Sequence, residues 1–240
     1  MKTLLLAKNS RQEQGRIVMV NTKQLLRAEP YEWLGDWHPL AEQLGSTDGL
    51  LTLSSVSELL QVRAVRDLDS LREFLLQYHS QILVPHELPA VRRACEHAVR
   101  GEVRELIQFD VQLTSEENLR LFAAASERVG RAQLQKLRPL RDQRIVQRYL
   151  HAVENNEARG WHTIVFGLTL AIYSLPLRQG LLGYAFQTTR GFIHSAARQL
   201  SVSEKNCRTL LEEVCDPIPA AVEGLIRENA PATANDFRGK

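Results

Sequence analysis

The chain has 240 residues, 44% hydrophobic and 24% charged, and its 30 basic and 28 acidic side chains leave a net charge of +2. That is enough apolar material for one sizeable core, and the basic excess is too small and too scattered for a nucleic-acid-binding face. Three cysteines (Cys95, Cys207 and Cys215) with no CxxC pair argue against a disulfide scaffold or a structural zinc site and point to a reducing, cytoplasmic compartment.

The first 37 residues differ from the rest of the chain. The opening MKTLLLAKNS has a basic start, but its apolar run, Leu4–Ala7, is too short for a secretion signal. RIVMV at Arg16–Val20 has strand character, yet no second strand signal comes after it to pair with it. Met19 is an alternative start, which would leave the residues before it untranslated. The chain therefore divides into an N-terminal extension (1–37), one helical domain (38–228) and a polar, flexible tail (229–240).

Within the domain nearly everything reads helical. Asp67 caps a helix from Leu68 to about Val84, and Pro85 is expected to end it. Pro89 suits the first turn of the next helix, which runs to Arg100 with Gly101 as its stop. A third helix covers Glu102–Leu113. Thr114 and Glu117 then form a hydroxyl-plus-carboxylate cap for a helix to about Lys136, which Arg138-Pro139 breaks. Further helices are expected over Leu140–Asn155, Trp161–Ser174, Pro176–Leu200 and Ser203–Val214, and a last one starts at Asp216-Pro217 and continues through Ala220–Arg227. Ser201 and Glu204 have the spacing of another such cap. The uncharged run Trp161–Leu177 holds a histidine, two threonines, a serine and a proline and is short for a membrane span, so it reads as a buried core helix. The fold class is an all-α, single-domain bundle.

Motifs for chemistry are sparse. The phosphate-binding loop GxxxxGK[ST] is absent, as are GxSxG, HExxH and GxGxxG. Cys95 and His97 lie two apart on a helix, facing different directions, which disfavours a shared metal ion. Cys207 and Cys215 read as small buried residues. His162 is expected to face solvent or cap its helix. Gly180, Gly183 and Gly191 in one helix call for a close backbone approach, either in the core or at a dimer seam. His79, His86 and Glu87 around Pro85 are the candidates for an acid/base site, and their ordinary reading is a solvated surface.

Four segments between about residues 45 and 226 carry a resemblance to the urease accessory protein UreF family. TDGLLTLSSVSE at Thr47–Glu58 overlays a family stretch like PTGGFSHSSGLE, matching at Gly49, Ser54, Ser55 and Glu58. ASERVGR retains an S-x-x-x-G-R pattern at Ser126, Gly130 and Arg131. WHTIVFGLTLAIYSLPL matches a histidine–glycine–proline pattern at His162, Gly167 and Pro176. The long helix ending AARQL keeps Arg198. After it, where the family reads PLGQTDGQ, Ser203 and Glu204 replace one Gly-Gln pair and Cys207 and Arg208 another.

The resemblance implies an all-α, dimeric, non-catalytic protein that bridges a UreD/UreH scaffold and the GTPase UreG to deliver nickel to apo-urease. It implies no cofactor bound by this chain itself, no metal site on it, and neither a nucleic acid nor a membrane as partner. Arg198, Ser203, Glu204, Arg208, Ser126, Gly130, Arg131 and Glu58 become the candidate partner-binding residues. Gly180, Gly183, Gly191 and His162 become the candidate dimer or packing residues, and the tail Ala230–Lys240 is expected to order on the scaffold. Two rivals stand beside this reading: a repurposed adaptor for another partner, which the rewritten Ser203–Arg208 segment favours, and a helical enzyme. The mass of the protein purified from its native source tests the start: a mass that excludes everything before Met19 supports initiation there, and one that includes residue 2 refutes it.

Overall fold

Asp67 starts the first helix as its chemistry predicts: its carboxylate accepts the Ser70 N–H at 2.8 Å, and the Ser70 hydroxyl accepts the Asp67 N–H at 3.0 Å. This reciprocal cap holds the Asp67 carboxyl below its usual pKa, chiefly through the Ser70 hydroxyl. The computed structural model describes residues 56–228. The Arg16–Val20 strand, the extension 1–37 and the tail 229–240 lie outside the described residues. After a helical stretch at 56–59, the helices are α1 (Leu68–Tyr78), α2 (Leu88–Arg100), α3 (Val103–Leu113), α4 (Ala123–Lys136), α5 (Arg144–Glu154), α6 (His162–Ile172), α7 (Leu177–Leu200), α8 (Glu204–Cys215) and α9 (Ile218–Arg227). No strand occurs among the described residues, and the protein is all-α.

Pro85 does not end the first helix. The chain widens into a π-helix over His79–Glu87 and passes straight into α2. The Leu88 N–H reaches back five residues to the Leu83 carbonyl. A wider turn accommodates the proline ring and tolerates its missing N–H, which a tight α-turn would not. Pro89 sits in the first turn of α2, and Gly101 closes that helix in the left-handed conformation, both as expected. The Thr114–Glu117 cap is absent. Glu117–Phe122 is a 3₁₀ turn without a side-chain cap, and the Thr114 hydroxyl instead accepts the Trp161 indole N–H at 3.3 Å. Tertiary packing has claimed the hydroxyl that local sequence would give to a cap.

The core is built around α6. From His162 to Leu168, and again at Leu170, its residues are buried on every side. This is why the Trp161–Leu177 run shows no amphipathic face, and the expected core helix is found. No helix among the described residues is long and apolar enough to cross a membrane. Helices α2 and α4 pack along α6, and α7 closes the bundle against α1, α2, α8 and α9. Helices α2 and α6 cross closely, and Gly167 is the reason: a Cβ there would overlap the Val91 carbonyl and lie 2.7 Å from Ala94 Cβ and 2.9 Å from Cys95 N. A second aromatic layer (Phe74, Tyr78, Phe192) fills the space between α1 and α7, with Tyr78 and Phe192 edge to face at 4.9 Å.

Gly167→Ala forces backbones apart at this crossing and is expected to cost about 3 kcal/mol, a Tm fall of roughly 5–10 °C. Gly224→Ala, on α9 where a Cβ would meet nothing within 4 Å, should instead stabilise by up to about 1 kcal/mol. Paired thermal melts check both signs. Burial also lowers the His79 pKa from 6.5 to about 4. Between those values the unfolded chain binds a proton that the folded protein refuses, so stability rises with pH there. Stability is therefore expected to fall by up to ~3 kcal/mol as pH drops from about 6.5 to about 4. Urea titrations across that range should show the slope, and His79→Gln should flatten it.

Candidate functional site

The S-x-x-x-G-R pattern turns inward. Ser126 and Gly130, one turn apart on α4, face the segment that leads into α6. The Ser126 hydroxyl accepts the His162 N–H at 3.0 Å. A Cβ on Gly130 would overlap the Gly160 carbonyl and stand 2.7 Å from His162 N and 2.8 Å from Trp161 C, so only glycine lets the two backbones meet. Arg131 Nε donates to the Arg159 carbonyl at 2.8 Å. From the other side comes Asp110 of α3, with no exposed surface. Its carboxylate accepts the N–H groups of Arg159, of Gly160 at 3.0 Å and of Trp161 at 3.1 Å, and the Tyr149 hydroxyl at 2.5 Å. Burial, reinforced by the Asp110 charge, pushes the Tyr149 phenol well above its ordinary pKa. Ser126, Gly130 and Arg131 therefore belong to a clasp that fixes the start of α6. The sequence reading missed Asp110. Its signal is an acidic residue on the same helix face as Leu106 and Leu113, where α3 should be apolar.

The segment after α7 forms a groove. Ser201 ends α7 in the left-handed conformation with φ 52°, and the Val202 N–H returns to the Ala197 carbonyl. The cap of α8 is Ser203, whose hydroxyl accepts the Asn206 N–H at 3.3 Å. The expected Ser201–Glu204 cap is thereby corrected: the left-handed turn points Ser201 out of register and passes the role two residues on. The hairpin of α7 and α8 encloses a cleft of about 390 Å3 lined by Arg190, Ile193, His194 and Ala197 on α7, Val202 in the turn, and Glu204, Cys207, Arg208 and Leu211 on α8. Both helices contribute residues at i, i+3, i+4 and i+7, one face each. Ile193, Ala197, Val202 and Leu211 make its apolar surface. Glu204 and Arg208 pair along the rim at 3.2 Å, with their side chains 87% and 70% exposed. Glu204, Arg208 and, in the turn beside them, Ser203 are thus brought together, while Arg190 and His194 went unnoticed because nothing in the sequence says which face of α7 meets α8.

The remaining candidates disperse. Glu58 is exposed, remote in sequence from the groove. Arg198 lies on α7, and its side chain is outside the described residues. A Cβ on Gly180 would meet Leu170 Cδ1 at 2.5 Å, so this glycine packs within the chain, and Gly183 and Gly191 are buried in it too. His162 is buried, neither solvent-facing nor a cap; its ring stands 5.7 Å from that of Tyr184. His79 and Glu87 are also buried rather than solvated. His79 Nε2 lies 2.7 Å from the Thr189 hydroxyl, whose own proton goes to the Ala185 carbonyl, so Nε2 donates. Glu87 accepts the Tyr184 hydroxyl at 3.1 Å, and His86 meets Asn118 on the outside. The three do not converge on a cleft. His97 is bonded to Glu102 at 2.7 Å, away from buried Cys95. Burial raises the thiol pKa of Cys95 to about 11 and of Cys215 to about 12.

Clasp and groove separate experimentally. Asp110→Ala leaves three backbone N–H groups, two of them buried, without an acceptor and is expected to cost roughly 3–4 kcal/mol, and Ser126→Ala about 1–2 kcal/mol. Ser203→Ala should cost about 1 kcal/mol, with Ser201→Gly neutral or stabilising. Glu204→Gln and Arg208→Ala, both on the exposed rim, should stay within about 0.5 kcal/mol. Chemical denaturation of the six variants checks the ranking.

No curated protein matches the chain. A protein-family model described as UreF matches residues 65–215, a span that holds the clasp, the central helix and the groove. The UreF family is an accessory family rather than a catalytic one, and it supports a general role in urease maturation. The chain belongs to the UreF family.

Proposed function

We propose that this chain is the adaptor of a urease-maturation complex, bridging a UreD/UreH-like scaffold and a UreG-like GTPase so that nickel reaches apo-urease. The observation that carries this reading is the α7–α8 groove, which lies within the family-matched span and has an apolar floor with a charged rim. Such a surface recognises a protein by shape, one or two buried anchors and a few charges. The one carboxylate of the groove lining, Glu204, is paired with Arg208, and burial raises the Cys207 thiol pKa, which disfavours a thiolate nucleophile beside His194. Nickel is cargo of the complex, and no group of three or more potential ligands occurs among the described residues. The protein is proposed to act in the cytoplasm, as a homodimer. Gly180 serves packing against α6, so the dimer seam must be sought on other residues of the surface.

Glu204 and Arg208 are the groove charges proposed to meet the GTPase, with Arg198 beside them in sequence. A second reading, a repurposed adaptor, is favoured by one feature: Glu204 places a carboxylate where the family pattern has an amide. A partner shaped for the amide would reject that charge.

Co-expression with UreD/UreH, UreG and apo-urease, followed by co-purification and urease assay with nickel, tests the adaptor. A stable complex with restored activity is expected, and a well-folded protein that captures none of these partners would instead support the repurposed reading. Glu204→Gln is expected to change UreG retention by about fivefold or more; equal retention removes Glu204 from the interface.

A further inference from the structure

Arg190 is half-buried in the α7–α8 groove and makes no ion pair among the described residues. That is an unusual place for a guanidinium. Partial burial strips some of its water, and the usual compensation is a carboxylate. The carboxylate of the groove, Glu204, is engaged by Arg208 at 3.2 Å. The lining thus carries Arg190 and Arg208 against one acid, with His194 on the same rim as Arg190. Between the rims run Ile193, Ala197, Val202 and Leu211. The volume of about 390 Å3 lies at the low end of ligand-sized clefts, about 300–1,000 Å3, but it is drawn out along two helix faces. That layout suits side chains presented by a third helix.

We propose that the groove receives an amphipathic helix of a partner protein, one that lays an aliphatic side chain onto the Ile193–Leu211 floor and a carboxylate against Arg190. The inference rests on the adaptor reading and specifies the chemistry of the segment that the groove captures. An inorganic or small organic anion would satisfy Arg190 but leave the floor wet. A second copy of this chain placed symmetrically would set one cationic rim against another. An acidic amphipathic helix meets both demands through i, i+3, i+4 and i+7 contacts, and its carboxylates complement the charge excess.

The test uses the full chain and two synthetic helices of about five turns, with the same leucine face and flanks of glutamate in one and lysine in the other, followed by fluorescence anisotropy at two salt concentrations. The glutamate helix is expected to bind, more weakly at high salt, and the lysine helix not to bind. Arg190→Glu with Arg208→Glu should weaken the glutamate helix by about tenfold or more and let the lysine helix bind. Glu204→Gln should tighten the glutamate helix. Arg208 is exposed enough that Arg208→Glu alone will fold and carry the test if the Arg190 change does not. Equal binding of the two helices, indifference to charge reversal, full competition by succinate, or occupation of the groove by a second copy of the chain would each overturn the proposal. A groove that prefers the glutamate helix in a protein that assembles with no urease accessory partner sinks the adaptor reading alone. An active maturation complex unaffected by charge reversal sinks the groove inference alone.

Discussion

One buried carboxylate organises the centre of this fold. Asp110 offers its two oxygens to three consecutive backbone N–H groups, those of Arg159, Gly160 and Trp161, and to the Tyr149 hydroxyl. These N–H groups lie just ahead of α6, a helix so apolar that it has no polar face to orient it. Without directional bonds at its start, a greasy cylinder could rotate or slide among its neighbours at little cost, because hydrophobic burial is not directional. Asp110 from one side and Ser126, Gly130 and Arg131 from the other remove that freedom. Once α6 is set, α2 can cross it at Gly167, and α7 can close over the resulting layer.

This arrangement reassigns the most recognisable local pattern in the chain. A serine, a glycine and an arginine at the spacing of Ser126, Gly130 and Arg131 look like surface recognition. In the structure each is engaged with the turn 159–162, and the glycine is required by the approach of a backbone rather than by a ligand. The residues proposed to meet a partner stand elsewhere, along the hairpin of α7 and α8, where Glu204 and Arg208 pair on an exposed rim above an apolar floor.

The long run from α1 through α2 carries its own device. The π-helix at His79–Glu87 turns His79 toward Thr189 and Glu87 toward Tyr184, so two titratable groups are buried against α7, each with a hydrogen-bond partner there. Burial pushes the Tyr184 and Tyr78 phenols well above their ordinary pKa, with the Glu87 charge adding to the effect. Each phenol is kept in its uncharged donor form, able to hydrogen-bond without bringing a second charge inside. A polar seam of this kind fixes the register of α7 where aliphatic contacts alone would tolerate slippage.

The sequence by itself determined the fold class, the approximate extent of most helices and the burial of α6, because these depend on the spacing of apolar residues, on Asp67 and Pro89 at helix starts and on Gly101 at a helix end. The family resemblance was legible in the same way, in short patterns carried along one dimension. What only the tertiary structure decided is where competing bonds go. The Thr114 hydroxyl accepts the Trp161 indole N–H instead of capping the next helix; Ser203 rather than Ser201 caps α8 because the chain turns left-handed at Ser201; Pro85 stays helical because a π-turn can absorb it. The groove was half visible, through Glu204 and Arg208, while Arg190 and His194 emerged only when α7 and α8 came together. A side chain's role depends on which distant group arrives within about 3 Å of it, and distance along the chain does not carry that information.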